Sequence, residues 1–296
     1  MSINKFDQFL QSNSWADFQN SVGHETFFIN DKLVIKHETS LWLNYLYIPR
    51  AVVDKQDLEY IKDLAKKENC IFSRIDPGLG SSVAGQDTKT AQSENCWFLK
   101  LDKSEDELIK AMKSKTRYNI RLSQKKEVEI VVSTDLKDIN IFYKISAEMA
   151  KRQKIRIHPK KYYLQLFETF VKLNKAFLYL AKYEGRVISA NLIIYSEDTA
   201  TYVHGSSSNK YRNVMAPYLL QWQAIQDAKK AGLMYYDFGG VAPENAENHE
   251  WAGITRFKQG FGGEYVNYPK SVDVIYSSGK YYIYKLLRYL NKMFRS

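Results

Sequence analysis

One succession of elements occurs twice in this chain, and it constrains the fold more than any single residue does. Residues 25–29 read as a strand, Asn30-Asp31-Lys32 as a tight turn and 33–37 as the returning strand. A third strand over 41–48 stops at Pro49-Arg50. Leu58, Ile61, Leu64 and Ala65 then recur at helical spacing across 55–69, and a strand over 70–75 ends at Asp76-Pro77. About 160 residues later, an offset of domain size, the series returns. Strands over 177–183 and 187–195 flank the turn Glu184-Gly185-Arg186. A strand over 199–204 opens into the polar loop Gly205-Ser206-Ser207-Ser208-Asn209. Residues 217–231 form a helix with Pro217 in its first turn and Gly232 past its end. The strand Met234-Tyr235-Tyr236 ends at Asp237. The two copies share no recognisable identity, so pattern alone carries the repeat.

Strand, helix, strand in this order predicts a right-handed parallel crossover. An antiparallel hairpin feeding such a crossover is the core of the GNAT acetyltransferase-like fold. The expected class is therefore α/β (α+β), with two tandem GNAT-like domains, and 296 residues suffice for both. No apolar run approaches the roughly 18 residues of a membrane span. The polar start of the chain has no secretory h-region. Cys70 and Cys96 are too few for a disulfide framework, which fits a reducing cytoplasm.

A net charge of +10 suggests an anionic partner. The charge concentrates in KAMKSKTRYNIRLSQKK (110–126), which contains no acid. Lys113, Arg117, Arg121 and Lys125 lie four apart, so a helix aligns them in one stripe. Two readings stay open: a solvated helix face, or a surface that an anion neutralises. Residues 160–175 carry a second helical pattern, with Tyr163, Leu166, Phe167 and Phe170 on its apolar face.

The five histidines, at 24, 37, 158, 204 and 249, show no metal-ligand spacing, so no metal is expected. Nucleophile-elbow, P-loop and dinucleotide fingerprints are lacking. An acyl-coenzyme A enzyme needs a glycine-rich pyrophosphate loop before its crossover helix. Ser207–Pro217 contains no glycine, which argues against coenzyme A as donor, and no cofactor is expected. The segment 251–264 (WAGITRFKQGFGGE) reads as a glycine-rich loop, with Phe261-Gly262-Gly263 as a turn. It follows the end of the strand at Asp237-Phe238-Gly239-Gly240-Val241, the edge where crossover sheets carry ligands. A cation there could hold a ribose–phosphate or a developing oxyanion.

Trp15-Ala16-Asp17-Phe18-Gln19, Arg74-Ile75-Asp76-Pro77 and Lys113-Ser114-Lys115-Thr116-Arg117-Tyr118-Asn119-Ile120-Arg121 together resemble FemABX-type peptidyltransferases. Gly205-Ser206, Ala216-Pro217-Tyr218, Tyr236-Asp237-Phe238-Gly239-Gly240 and Phe257-Lys258 extend the resemblance, which runs from about residue 10 to 270. With no heptad run for a coiled-coil arm, the chain is similar to the short, FemX-like branch. The resemblance implies a first domain of residues 1–97 plus 270–296 and a second of 98–269. It implies transfer of an amino acid from aminoacyl-tRNA to the stem peptide of a muramyl-pentapeptide precursor, in peptidoglycan cross-bridge synthesis. By position, Phe257 and Lys258 correspond to the pair at the tRNA 3′ end, the lysine stabilising the oxyanion. Asp76 corresponds to a carboxylate near the acceptor amine. Tyr162 and Tyr202 correspond to residues lining the precursor site, and the stripe Lys113, Arg117 and Arg121 to a tRNA contact.

Where relatives that use a soluble uridine-diphosphate precursor hold phosphate with cations, this chain offers Asp17, Gln19 and His158. Arg156, Arg50 and Arg74 are the candidates to compensate, and a lipid-linked acceptor becomes the alternative. A helical wheel of 280–296 puts Lys285, Arg288, Lys292 and Arg295 within an arc of roughly 80°, at about 100° per residue. Ile283, Leu286, Leu287, Leu290, Met293 and Phe294 lie on the other side. Such a helix either docks on the first domain or lies on the inner membrane surface. Two rival functions stay open: a GNAT-like acyltransferase with another donor, and a non-catalytic tRNA- or RNA-binding module.

Overall fold

A computed structural model describes residues 8–39, 41–89, 91–246 and 248–293. The chain divides into two compact units, residues 1–94 with 267–296, and residues 95–266. Unit 1 begins with α1 (Asn13–Ser21), β1 (Glu25–Ile29), β2 (Lys32–His37), β3 (Tyr45–Ala51), α2 (Lys55–Lys67), β4 (Phe72–Pro77) and β5 (Gln86–Asp87). Unit 2 comprises β6 (Asn95–Lys100), α3 (Glu105–Ala111), α4 (Ser114–Lys125), β7 (Glu129–Ser133), α5 (Ile139–Gln153), α6 (Lys160–Val171) and β8 (Ala176–Tyr183). It continues with β9 (Arg186–Ser196), β10 (Thr199–Ser207), α7 (Ala216–Lys230), β11 (Tyr235–Gly240), α8 (Ala252–Gln259) and β12 (Glu264–Asn267). The chain returns to unit 1 for β13 (Val272–Ile275) and α9 (Ser278–Met293).

The repeated succession is the repeated fold. Unit 1 has a six-stranded sheet ordered β1-β2-β3-β4-β13-β5, and unit 2 a seven-stranded sheet ordered β12-β6-β11-β10-β9-β8-β7. In unit 1, β1–β2 and β2–β3 are antiparallel while β3 and β4, joined through α2, are parallel. In unit 2, β8–β9 and β9–β10 are antiparallel, and β10–β11, joined through α7, are parallel. Both halves are thus acetyltransferase-like hairpin-plus-crossover units. Local chemistry explains the elements. The Asp54/Asp57 capping box starts α2, and Asp57 also accepts from Asn30 (2.6 Å), which ties the first hairpin turn to the helix. In unit 2, Gln221 of α7 accepts from Asn191 (2.8 Å) and donates to Tyr236 (2.7 Å), so a buried polar chain fixes the crossover helix over its strands.

Four expectations need correction. β3 runs through Pro49-Arg50 to Ala51, because a bulge between Ile48 and Ala51 removes the ladder bond that proline cannot donate. Arg50 absorbs that bulge in the left-handed region, at φ 49°. β10 continues through Gly205 to Ser207, and β11 passes Asp237 to end at Gly240, with a bulge between Asp237 and Gly240. The segment 251–264 is not a loop: Ala252–Gln259 is α8. The tail helix docks on unit 1, one of the two expected readings, through Tyr281, Tyr284 and Leu287 on Leu43, Ile71 and Phe72, while Ile283, Leu286 and Leu290 stay exposed. Phe294 and Arg295, placed in that helix by the wheel, lie outside the described residues, as does the side chain of Lys292.

Candidate active site

α8 carries a lysine inward. Thr255 and Lys258, three apart and so on one helix face, both grip the chain leaving β11. The Thr255 hydroxyl accepts from the Ala242 N–H (2.8 Å), and the Lys258 ammonium donates to the Gly240 carbonyl (2.7 Å). Lys258 is only 7% exposed. Burial pushes its pKa down to about 8, against the opposing pull of Asp237 and Cys96. Its nitrogen lies 5.9 Å from the centre of the Tyr202 ring. Asp237 at the bulge accepts the Gly239 N–H at 2.6 Å. Phe257 faces elsewhere, edge-on to Tyr218 (5.0 Å) and Phe261 (5.3 Å), and wedges the helix in place.

Two glycines permit this arrangement. A Cβ at Gly205 would sit 1.7 Å from the Tyr202 hydroxyl, so the ring lies directly over that backbone. A Cβ at Gly260 would sit 2.3 Å from Thr116 Oγ1, while the Gly260 carbonyl accepts from the Lys113 N–H (2.9 Å). The end of α8 is therefore locked to the start of α4.

A second cluster in unit 2 gathers His158, Tyr162, Tyr163 and His204. His158 stacks on Tyr162 at 3.8 Å between ring centres, and His204 meets Tyr163 edge-on at 5.0 Å. Burial, and then His158, push the pKa of His204 down to about 4. Burial also lowers the pKa of His158 and raises that of Tyr162. The Nε2 of His204 is buried with no hydrogen-bond partner. At neutral pH His204 is therefore an uncharged polar lining. His204 sits two residues from Tyr202 on β10, and sequence reasoning misses it, because the fold and not local spacing joins 158 to 204. Arg156 is exposed just before this cluster.

In unit 1, Asp76 is 2% exposed and accepts from Tyr47 (2.6 Å), the Gln92 N–H (3.1 Å) and the Ser271 hydroxyl. These donors hold it as a junction of β4 with its neighbours. Arg74 is taken up by the sheet: it forms a bidentate pair with Asp273 (both distances 2.8 Å) and also donates to Thr88 (3.1 Å). Arg50 donates to the Ser93 carbonyl and lies over the Tyr268 ring at 3.5 Å. The compensating role expected of Arg74 is thereby given up to packing.

The basic stripe is a helix face, α4, with Lys113 at its N-cap. Lys113, Arg121 and Lys125 are exposed. Arg117 turns back to the carbonyls of Lys110 and Met112, where it caps the end of α3. Among the described residues no group of three or more His, Cys, Asp or Glu could hold a metal ion.

Comparison with known proteins agrees with this architecture. The crystal structure of FemX superposes with a TM-score of 0.81 over 95% of this chain and 96% of that one, at 16% identity. The C-terminal domain of a putative lysylphosphatidylglycerol synthetase from Agrobacterium fabrum shares the fold more loosely, with a TM-score of 0.59, 9% identity and coverage of 94% of this chain and 92% of that one. Aminoacyltransferase FemA of Staphylococcus epidermidis is 31% identical over 105 residues, 36% of this chain but only 25% of that protein's length. The model of the FemAB family matches residues 79–186 and 181–289, more than half of the chain. On that match, joined to the ordered motifs and the doubled hairpin–crossover fold, the chain belongs to the FemAB family.

Proposed function

We propose that the chain is an aminoacyltransferase that moves an amino acid from aminoacyl-tRNA to the stem-peptide amine of a peptidoglycan precursor. The observation that carries this reading is Lys258. It is a cation held inside unit 2 at the carboxyl end of the crossover sheet, with burial already pressing on its charge. Acyl transfer needs a group that meets the developing oxyanion. The acceptor amine attacks the ester carbonyl of the charged tRNA, and a C–N bond forms as the carbonyl oxygen becomes an oxyanion. The Lys258 ammonium, anchored by one N–H on Gly240, offers its other N–H bonds to that oxygen. Collapse breaks the C–O bond, and the ribose oxygen of the terminal adenosine leaves with the proton the amine gives up. Phe257 keeps α8 seated, and Tyr202 walls the lysine from water.

The precursor's polar groups meet the His158–Tyr162–His204 cluster in this reading, with Arg156 beside it. The uncharged rings of that cluster hold a diphosphate weakly, and a lipid-linked acceptor, which a bilayer also concentrates, tolerates weak phosphate contacts better than a soluble uridine-diphosphate one. Lys113 and Arg121 of the α4 face take the tRNA backbone, and the reaction belongs in the cytoplasm, where charged tRNA is found. The test is a transfer assay with charged tRNA and both acceptors, the product peptide identified by mass spectrometry. One added residue on the stem peptide is expected, with the lipid-linked acceptor used better. Product from an acyl-carrier donor but from no charged tRNA would overturn the reading.

A further inference from the structure

We infer that α9 and the Leu41–Trp42 turn of unit 1 form a docking surface for an anionic lipid bilayer. This goes beyond the proposed transfer reaction and rests on different residues. α9 docks through Tyr281 and Tyr284, which are 0% and 7% exposed. Its opposite face carries Tyr282, Ile283, Leu286, Tyr289, Leu290 and Met293, all exposed, with Ile283 at 53% and Leu286 at 57%. At about 100° per residue these six positions span an arc of roughly 120°. That stripe is as wide as the face a surface helix ordinarily buries, and here it is turned to solvent.

Charge and aromatic placement say what covers it. Ser278–Met293 contains no acidic residue, and Lys280, Lys285 and Arg288 are exposed. On the wheel Tyr282 and Tyr289 lie at the border between the apolar arc and Lys285. A ring with an apolar body and a polar tip belongs there when the border is a headgroup layer. An apolar stripe edged by tyrosine and then lysine, with no acids, matches an anionic interface in which the helix lies flat.

A second element points the same way. Trp42 is 85% exposed and holds φ 53°, a left-handed conformation that a bulky residue rarely adopts. The turn is built rather than loose. The Trp42 N–H donates to the Thr39 carbonyl (3.1 Å), the Leu43 N–H to the Thr39 hydroxyl (2.9 Å), and the Thr39 N–H to Asn44 (3.0 Å). Its neighbour Leu43 packs in one cluster with Tyr281 and Tyr284, so the displayed tryptophan and the displayed stripe spring from the same core. Leu41 is also 57% exposed. No described helix is long and apolar enough to cross a membrane, so the attachment inferred for this face is peripheral and reversible.

The experiment is flotation of the full chain with phosphatidylglycerol-containing vesicles and with phosphatidylcholine vesicles, at low and raised salt. The full chain should float with the anionic vesicles, and less with neutral lipid or at high salt. The triple variant Ile283→Ser, Leu286→Ser, Leu290→Ser should lose about tenfold or more of that binding, and Trp42→Ala a smaller part. All four positions are exposed, so unchanged thermal unfolding of the variants shows that the fold is intact. Failure of the full chain to float, equal flotation by the triple variant, or equal binding to neutral lipid would each sink the assignment. So would a concentration-dependent dimer that the triple variant abolishes, since a second copy would then own the stripe. Vesicle binding is read without substrate, so its failure leaves the transfer reaction untouched, and failure of transfer leaves the docking surface untouched.

Discussion

Lys36 in unit 1 and Lys258 in unit 2 are both buried lysines beside a crossover sheet, and their surroundings push their proton affinities in opposite directions. Lys36 bonds Glu25 (2.7 Å) and Glu68 (2.9 Å), and those hydrogen bonds raise its pKa. Lys258 bonds a neutral carbonyl, and burial lowers its pKa. The pattern extends to other cations. In unit 1 Lys32 lies 3.3 Å from Asp57, and Arg74 is locked to Asp273. In unit 2, among the described residues, no carboxylate pairs with Lys113, Arg121 or Lys125 of α4. One fold therefore carries two uses of charge. Where acids meet cations the charge holds the structure; where they do not, the buried Lys258 keeps its charge at a cost that a ligand can relieve, and the α4 cations face solvent. Both units share the architecture, so the proposed site rests on these residues rather than on the fold.

The largest effect should come from breaking the self-contained side of this contrast. Asp273 accepts two bonds from Arg74 and a third from the Tyr281 hydroxyl (2.8 Å), which joins β4, β13 and α9. Asp273→Ala leaves a buried guanidinium alone and should cost about 3–5 kcal/mol in denaturant unfolding. Whatever fraction stays folded should keep its transfer rate. A stable Asp273→Ala protein with collapsed turnover would mean that the pair serves chemistry, and the contrast between the units would fail.

Lys258→Ala should do the reverse: turnover falls on the order of 10²–10³-fold while the fold survives. Its pH profile gives the sign. The cation is present below a pKa of about 8 and lost above it, so transfer should fall as pH rises past about 8. The opposite slope, activity rising through the same region, would make Lys258 a base rather than an oxyanion partner. Stability should move the other way. Between about 8 and the ordinary lysine value of 10.5 the unfolded chain binds the proton that the folded chain has released, so folding becomes more favourable with pH in that window. Lys258→Ala should remove that rise.

Much of the fold is legible in the sequence because its punctuation is local. Glu184 and Gly185 hold φ 50° and 72°, which is the turn a two-residue hairpin needs, and Gly232 ends α7 at φ 81°. What escapes is punctuation that tertiary contacts overrule. Pro49 stops a strand by its own chemistry, yet a bulge lets β3 pass it. Gly253 argues against helix, yet α8 forms because Thr255 and Lys258 bond the end of β11 and Thr116 closes over Gly260 at its C-cap. Family resemblance singles out Phe257 and Lys258, but a segment with the composition of a loop does not show that its lysine is buried. Asp76 and Arg74 stand out equally in sequence. Nothing local shows that Tyr47 and Asp273, brought in by other strands, occupy them.

The smallest and most selective effect concerns α4, where the unpaired charge of unit 2 is widest. If Lys113, Arg121 and Lys125 meet tRNA phosphates, log affinity for charged tRNA should fall linearly with log salt, because each neutralised phosphate releases counterions. Replacing these three by Gln should shallow the slope by about 0.7–0.9 for each phosphate that is no longer neutralised. Arg117 is the internal control. It lies on the same stripe, but its guanidinium is bonded to the Lys110 and Met112 carbonyls. Arg117→Gln should therefore lower stability, by about 1 kcal/mol for the missing cap, and leave the salt slope nearly unchanged. An equal change of slope from Arg117→Gln would show that it swings out to the ligand. A slope unmoved by the triple replacement would make α4 a solvated face, and the tRNA would have to meet other cations.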